Sequence, residues 1–433
     1  MAKKVRWIYV VAIALMIMVS NNAAYSYLKT PETVEIRFRL HEDPQRVAVK
    51  KEILKRCEQT YPWIRIKVEH TGYAEYTQKL LVEFVGKAAP DIIYGNCEVW
   101  RPLGERGVYE DLLSYIKESD IVMLDDYYEA GLADFSLPGK DAQYLVPHNS
   151  APYGFYYNID LFDKAGVAYP DESWTWTGKF LEAAKKLAQD TDGDGKIDQY
   201  AFYDMGSMHT LEFSGVWSWE GRWFNEERTK FLAHESPTPE AIQFFADLTI
   251  NGINPQKSLM DKLGYSGLWW VGKVAMISGG AWIIATQPEQ APFRYDVMFR
   301  PYEEVRVTGV CSGAYGINSQ SEHKDTAWKV IEYFLSPKER IHDGWYGGED
   351  PSLKSILMDP DYWEFFQPPP KNRSMFAEIL ATARPLPYTS HWREVFSVMK
   401  EQLELIFLGQ ETAKEGMEKI KAEVDKILAR PII

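Results

Sequence analysis

The chain is 433 residues long, carries a net charge of −14 and is 45% hydrophobic, which is enough length for two or three domains and enough apolar material to fill their cores. The acidity excludes nucleic acid as the expected partner and favours solubility. With 15 Trp and 26 Tyr there are more rings than ordinary cores need, so some are expected to face a ligand; Cys57, Cys97 and Cys311 fit no metal motif, and an odd count cannot pair completely.

Residues 1–26 read as a signal peptide or N-terminal anchor. Lys3, Lys4 and Arg6 precede an apolar run from Trp7 to Val19, and small and polar residues follow. As a helix that run spans about 20 Å, short of the roughly 30 Å hydrocarbon core, which favours a cleaved signal. Either form places the rest of the chain outside the cytoplasm, and no cysteine ends the run to carry a lipid.

From there strands and helices alternate. Residues 34–40 alternate as a strand, and the helix after Pro44 turns Val47, Ile53, Leu54 and Cys57 inward. A strand over 64–68, a helix over 76–85 and a short buried strand over 91–94 ending at Gly95-Asn96 complete a β-α-β-α-β unit. That order predicts an α/β fold with a parallel or mixed sheet. A strand over 153–157 opens a second unit, with a helix over 177–189 that turns Phe180, Ala183, Ala184, Leu187 and Ala188 to one face. Residues 327–335 repeat the helical pattern, and 394–428 read as two helices split near Gly409.

Residues 271–284 hold the most informative stretch. Val274 to Ile277 form a buried strand that breaks at Ser278-Gly279-Gly280 and delivers Trp282 to an apolar segment. Paired glycines permit a tight turn and close backbone approach, so a large ring can stand beside a ligand; a core role for the ring stays open. Gly267, Gly272 and Lys273 have phosphate-loop spacing. Val274 follows, however, where Ser or Thr would reach magnesium, and two tryptophans would crowd the loop. Nucleotide binding is therefore not expected here.

Asp190, Asp192 and Asp194 occupy positions 1, 3 and 5 of a calcium loop, Gly195 position 6, Lys196 the seventh, which ligates through its carbonyl, and Asp198 the ninth. Ala201 stands where a bidentate Glu belongs, so the pattern predicts either a weak structural calcium or a solvated acidic turn. No other cofactor is required. An extracellular carbohydrate-active enzyme would share the leader, the acidity and the tryptophans. It would also need a pair of carboxylates at a defined separation, and no such pair is recognisable, so catalysis is not expected.

Five motifs in order resemble the family 1 extracellular solute-binding proteins of ABC importers, the group that includes maltose-binding protein. They are Tyr73-Ala-Glu-Tyr-Thr-Gln-Lys-Leu with Lys87-Ala-Ala-Pro-Asp-Ile-Ile; Gly154-Phe-Tyr-Tyr-Asn-Ile-Asp-Leu-Phe-Asp-Lys-Ala-Gly; Trp174-Thr-Trp; Gly272-Lys-Val-Ala-Met with Gly280-Ala-Trp; and Ile317-Asn with Ala327-Trp-Lys-Val-Ile-Glu-Tyr-Phe. Thr177-Gly178 replaces the family's usual acidic pair, and no proline leads into Trp282.

The resemblance implies a two-lobed periplasmic-binding-protein-like clamp with a ligand cleft between lobes. The N-terminal lobe would take 33–150 and 309–347, and the C-terminal lobe 151–308 and 348–433. The implied ligand is a sugar or oligosaccharide, or in other members a polyamine or glycerol phosphate. Importer membrane subunits would read the closed form of a monomer. Trp282 would be the main sugar platform and Trp392 a second ring, with Asn96, Glu42 and Asp43 at cleft-facing strand ends and Trp217 or Trp219 as a third platform. Trp217 and Trp219 could equally be core, and Glu42 and Asp43 a solvated loop.

Overall fold

β1 (Val34–Leu40) is the first strand among the described residues, and its alternation buries Ile36, Phe38 and Leu40. The computed structural model describes residues 32–432 apart from 43, 138, 205–210, 264–266, 286, 288–289 and 349. The leader expected over 1–26 lies outside the described residues. Helix Pro44–Thr60, β2 (Ile64–His70), helix Tyr73–Val85 and β3 (Ile92–Asn96) follow. β1 pairs in parallel with both β2 and β3, as the β-α-β-α-β reading requires.

β4 (Val146–Pro152) and β5 (Gly154–Asn158) are separated by Tyr153 alone, yet they belong to different sheets. β6 (Tyr200–Asp204), β7 (Val274–Gly279) and β8 (Tyr295–Met298) complete the second sheet, in the order β6-β7-β5-β8. The chain then returns to the first sheet through β9 (Thr308–Ile317) and later adds β10 (Ala383–Pro385). The first sheet runs β10-β9-β3-β1-β2, with β4 also on β9. β3 and β4 both pair antiparallel to β9, so β9 ties the first α/β unit to the passage between sheets.

The first sheet packs on helices Pro44–Thr60 and Lys324–Phe334, with Ile53, Leu54, Val330, Ile331 and Phe334 buried against Phe38 and Ile317. Leu353, Ile356, Leu357 and Tyr362 join this same core. Besides the expected Val47, Ile53, Leu54 and Cys57, the first helix buries Lys50, whose Nζ lies 2.9 Å from Glu42 and 3.5 Å from Asp343. A count of apolar spacing misses an inward lysine that a carboxylate compensates.

The second sheet is covered by aromatic clusters around Trp176 on one side and Trp269 on the other. Helices Thr238–Ile250, Trp392–Phe407 and Ala413–Leu428 pack together beside it. The expected helix over 177–189 is shorter, Leu181–Leu187, after an irregular turn Trp176–Phe180. Gly178 takes non-helical angles, and Gln189 leaves the helix to bridge Gln199. The C-terminal pair of helices breaks around Gly409, at φ 70°, as the sequence suggests. Among the described residues no helix is long and apolar enough to cross a membrane.

Candidate ligand-binding site

Where the two sheets meet, the backbone leaves a cavity of about 240 Å³. On the side of the second sheet its wall is Trp282 with Ala281 and Tyr153. β7 is buried along its whole length and stops at Gly279, where its partner β5 starts at Gly154. Tyr156 fixes the following turn by donating to the Gly280 carbonyl at 2.9 Å. The half-buried ring of Trp282 then folds back over Gly280, so closely that a Cβ there would sit 2.1 Å from Cζ3. No other residue fits that turn without displacing the ring. Tyr153 meets Trp282 edge-on, with centroids 5.4 Å apart and planes at 84°, a favourable aromatic geometry.

On the first-sheet side, Asn96 ends β3 and Cys97 and Glu98 follow it, opposite Cys311, Ser312 and Gly313 of β9. Asn96 Oδ1 accepts from the Glu98 and Val99 amides at 3.2 and 3.0 Å, which shapes the turn. Cys97 and Cys311 form a disulfide just beyond the last Asn96–Gly313 pair and staple that turn to β9. The sequence leaves the pairing of the three cysteines open; Cys57 is the buried free thiol. Gly313 admits Tyr94, Asn149 and His148 to one point, since a Cβ would lie 2.4 Å from the Tyr94 hydroxyl and 2.8 Å from Asn149 Oδ1. Tyr73, Arg46, Ser150, Ala151, Gly348 and Asp350 complete the lining.

Behind this wall, Asp134 Oδ2 accepts from the Ser312 amide at 3.1 Å. Burial pushes its carboxyl up to about 7, against the Ser312 hydrogen bond and the Arg228 charge, which act the other way. His148 Nδ1 lies 3.2 Å from Asp343 Oδ2, so the cavity backs onto the same buried ionic cluster that holds Lys50 and Glu42.

Of the residues singled out in the sequence, Trp282 and Asn96 come together in this cavity. Trp392 does not line it: the ring is 2% exposed and packs on Tyr388, Phe213 and Phe396 at the start of its helix. Trp217 stacks on Phe213, and Trp219 stacks on Trp176 and meets Phe245 edge-on; neither lines the cavity. Glu42 is buried, in neither a solvated loop nor the cavity lining, and is paired with Lys50. Asp43 lies outside the described residues.

Tyr73, Tyr94, Tyr153, Arg46, Asn149 and Asp350 line the site without having been named for it. Tyr153 and Asn149 flank the predicted passage between lobes, which was the available signal. Arg46 and Asp350 arrive by long-range packing and carry none.

In the acidic loop, carboxylate oxygens of Asp190, Asp192 and Asp194 lie within 4.8 Å of one another. Asp190 accepts from the Gly195 and Gly193 amides at 2.7 Å, bonds that hold its carboxyl below the usual range. The Lys196 amide donates to Asp194 at 2.8 Å. Asp198 is engaged elsewhere, 2.6 Å from Lys273 Nζ and bonded to Thr191. Ala201, at the twelfth position, is buried in β6.

Residues 43–341 match the family model described as bacterial extracellular solute-binding protein. The chain belongs to that family. A binding protein of Brucella abortus (strain 2308) is 23% identical over 395 residues, 88% of this chain and 89% of its own length. The sn-glycerol-3-phosphate-binding periplasmic protein of Escherichia coli (strain K12) is 24% identical over 333 residues, 72% and 74% of the two chains. Among solved structures, an ABC substrate-binding protein of Listeria monocytogenes in complex with cycloalternan superposes with a TM-score of 0.80 at 23% identity, covering 92% of this chain and all of that one. The sugar-binding protein of Xanthomonas citri gives 0.78 at 20% identity, with 92% and 98% covered. The fold is thus the two-lobed α/β clamp of solute-binding proteins, and the cavity lies where its two sheets meet.

Asp134 makes this solute-binding protein's stability depend on pH. Its folded pKa of about 7 stands above an unfolded value of about 3.9. The contribution is therefore full below about pH 4 and is lost as pH rises through 7. Asp134→Asn keeps an acceptor for the Ser312 amide but does not titrate. Denaturant unfolding at about pH 5 and pH 8 is expected to show the wild type losing about 2–3 kcal/mol more than the variant across that interval. An equal loss in both proteins contradicts the assignment.

Proposed function

We propose that the chain is an extracytoplasmic substrate-binding protein that captures a sugar or oligosaccharide and delivers it to the membrane subunits of an ABC importer. The observation that carries this reading is the pairing of Trp282 and Tyr153 on one wall with Asn96, Asn149, Glu98 and Asp350 on the other. Sugars present flat C–H faces rimmed by hydroxyls. Rings cover the faces, and amides and carboxylates read the rim. The structural relatives support the same class, since two are described with cycloalternan and as a cyclic α-maltosyl-1,6-maltose binding protein. Chemistry on the ligand is not part of the reading; the family is one of binding proteins.

Capture would close the cleft by hinging at the passages beside Tyr153, Thr308-Gly309 and Gly347-Gly348. The left-handed Gly348, at φ 72°, lies on the cavity wall at the third of these. We divide the lobes at the first two of these passages, 33–150 with 309–347 against 151–308, and assign the helices Trp392–Phe407 and Ala413–Leu428 to the second lobe; of the rest of 348–433, Leu353, Ile356, Leu357, Tyr362 and β10 go with the first sheet. Residues 1–26 would export the protein or anchor it, and the closed monomer would be the form the importer reads. In the acidic loop we propose a weak structural calcium on Asp190, Asp192 and Asp194, supported by their convergence and limited by the engagement of Asp198. Chelator is expected to lower the melting temperature and calcium to restore it; a wild type indifferent to both rejects the ion.

Trp282→Ala tests the platform directly. Loss of stacking and apolar burial is expected to weaken saccharide binding by roughly 2–4 kcal/mol, about 30-fold to 1000-fold by calorimetry, with stability near that of the wild type. Unchanged affinity in a folded variant would remove Trp282 from the site.

A further inference from the structure

Asp350 is the buried carboxylate of the cavity wall, 5% exposed. Its backbone is held by the passage strand: the Ser150 amide donates to the Asp350 carbonyl at 3.2 Å, and Pro351 bridges Asn149. Its side chain is anchored through one oxygen only. Oδ1 accepts from the Tyr362 hydroxyl at 3.0 Å and from Arg373 Nη2 at 3.3 Å. Oδ2 is buried without a hydrogen-bond partner among the described residues. The Arg373 guanidinium that pairs with Oδ1 is itself seated 3.5 Å from the Phe366 ring centroid.

Oδ2 is an unfilled acceptor of an arginine-paired carboxylate, so whatever completes it must bring an O–H or N–H. A buried acceptor left unmade is costly, and a bond to a charged group is among the stronger ones. The other carboxylate on the wall, Glu98, already accepts from the Tyr73 hydroxyl. A phosphate or carboxylate on the ligand would bring acceptors and negative charge to the position where Asp350 has an acceptor to fill.

We propose that Asp350 is a specificity-determining residue that accepts a hydrogen bond from a hydroxyl of the bound saccharide and excludes anionic solutes such as phosphate esters and uronic acids. This rests on the sugar reading above. It would tell a neutral saccharide from a phosphate ester such as sn-glycerol 3-phosphate by the chemistry of one wall.

The test uses the full chain and a fixed panel: glucose, maltose, maltotriose and trehalose as neutral probes, glucuronate and sn-glycerol 3-phosphate as anionic ones. Wild type is expected to bind at least one neutral probe and to leave the anions at least about 100-fold weaker. Asp350→Asn is expected to weaken the neutral probe about 10- to 100-fold and to narrow the gap to the anions. A folded Asp350→Asn protein with wild-type affinity and wild-type discrimination overturns the proposal and leaves the sugar reading standing. Should the variant not fold, the wild-type comparison decides: an anion bound within about tenfold of the best neutral probe overturns it. A wild type that answers to no saccharide overturns both.

Discussion

One residue of backbone separates the two sheets. β4 ends at Pro152 in the first and β5 begins at Gly154 in the second, so Tyr153 is the point at which one hydrogen-bonded ladder hands over to the other. The passage is fixed on both sides. The Tyr153 amide donates to the Gly309 carbonyl at 3.2 Å, and the Thr308 hydroxyl donates to the Tyr153 carbonyl at 2.9 Å. β9 starts at those residues, so two of the chain's passages between sheets are bonded to each other. A rotation of one sheet against the other must therefore bend there, and the ring that stands at that point is the one Trp282 packs against. The proposed ligand contact and the proposed hinge therefore share residues.

The two walls differ in chemistry because they are built differently. The second-sheet wall is aromatic and held by a glycine turn, whereas the first-sheet wall is polar and rests on buried charge. Lys50, Glu42, Asp343 and His148 form a continuous ionic cluster just behind it. Such clusters cost desolvation and are justified only when well paired. Here the cluster, with Tyr94 and Asn149, packs against the part of β9 that lines the cavity, and the Cys97–Cys311 disulfide clamps the adjoining turn. A stiff polar wall loses little entropy when it meets hydroxyls, which is the condition for selective capture.

Most strands and the order of the first unit were legible because period-2 alternation with apolar content is a local signal; β1 is bounded as read. The helix after Trp176 was overextended because the pattern of Phe180 to Ala188 says nothing about Gly178 or the Gln189–Gln199 bridge. In the site, Trp282 was legible from the glycines before it. For Trp392 the family resemblance implies a cleft position, whereas its neighbours Tyr388, Phe213 and Phe396 bury it. Glu42 and Lys50 illustrate the opposite failure: a charge at a strand end reads as solvent-facing until its partner, eight residues on, is seen to point inward. Asp350 could not be read at all, since Tyr362, Arg373 and Ser150 give it meaning only in three dimensions.

The central claim is that solute binds between the Trp282 wall and the β9 wall. Hydrogen exchange of the wild type with and without a bound saccharide tests it most directly, because amides covered by ligand or by closure exchange more slowly. The account predicts slowing in peptides covering 94–98, 149–154, 278–283, 309–313 and 346–352, with the outer helices Thr238–Ile250 and Ala413–Leu428 unchanged. Saturating ligand that slows exchange in the outer helices and leaves those five segments as they were would contradict it.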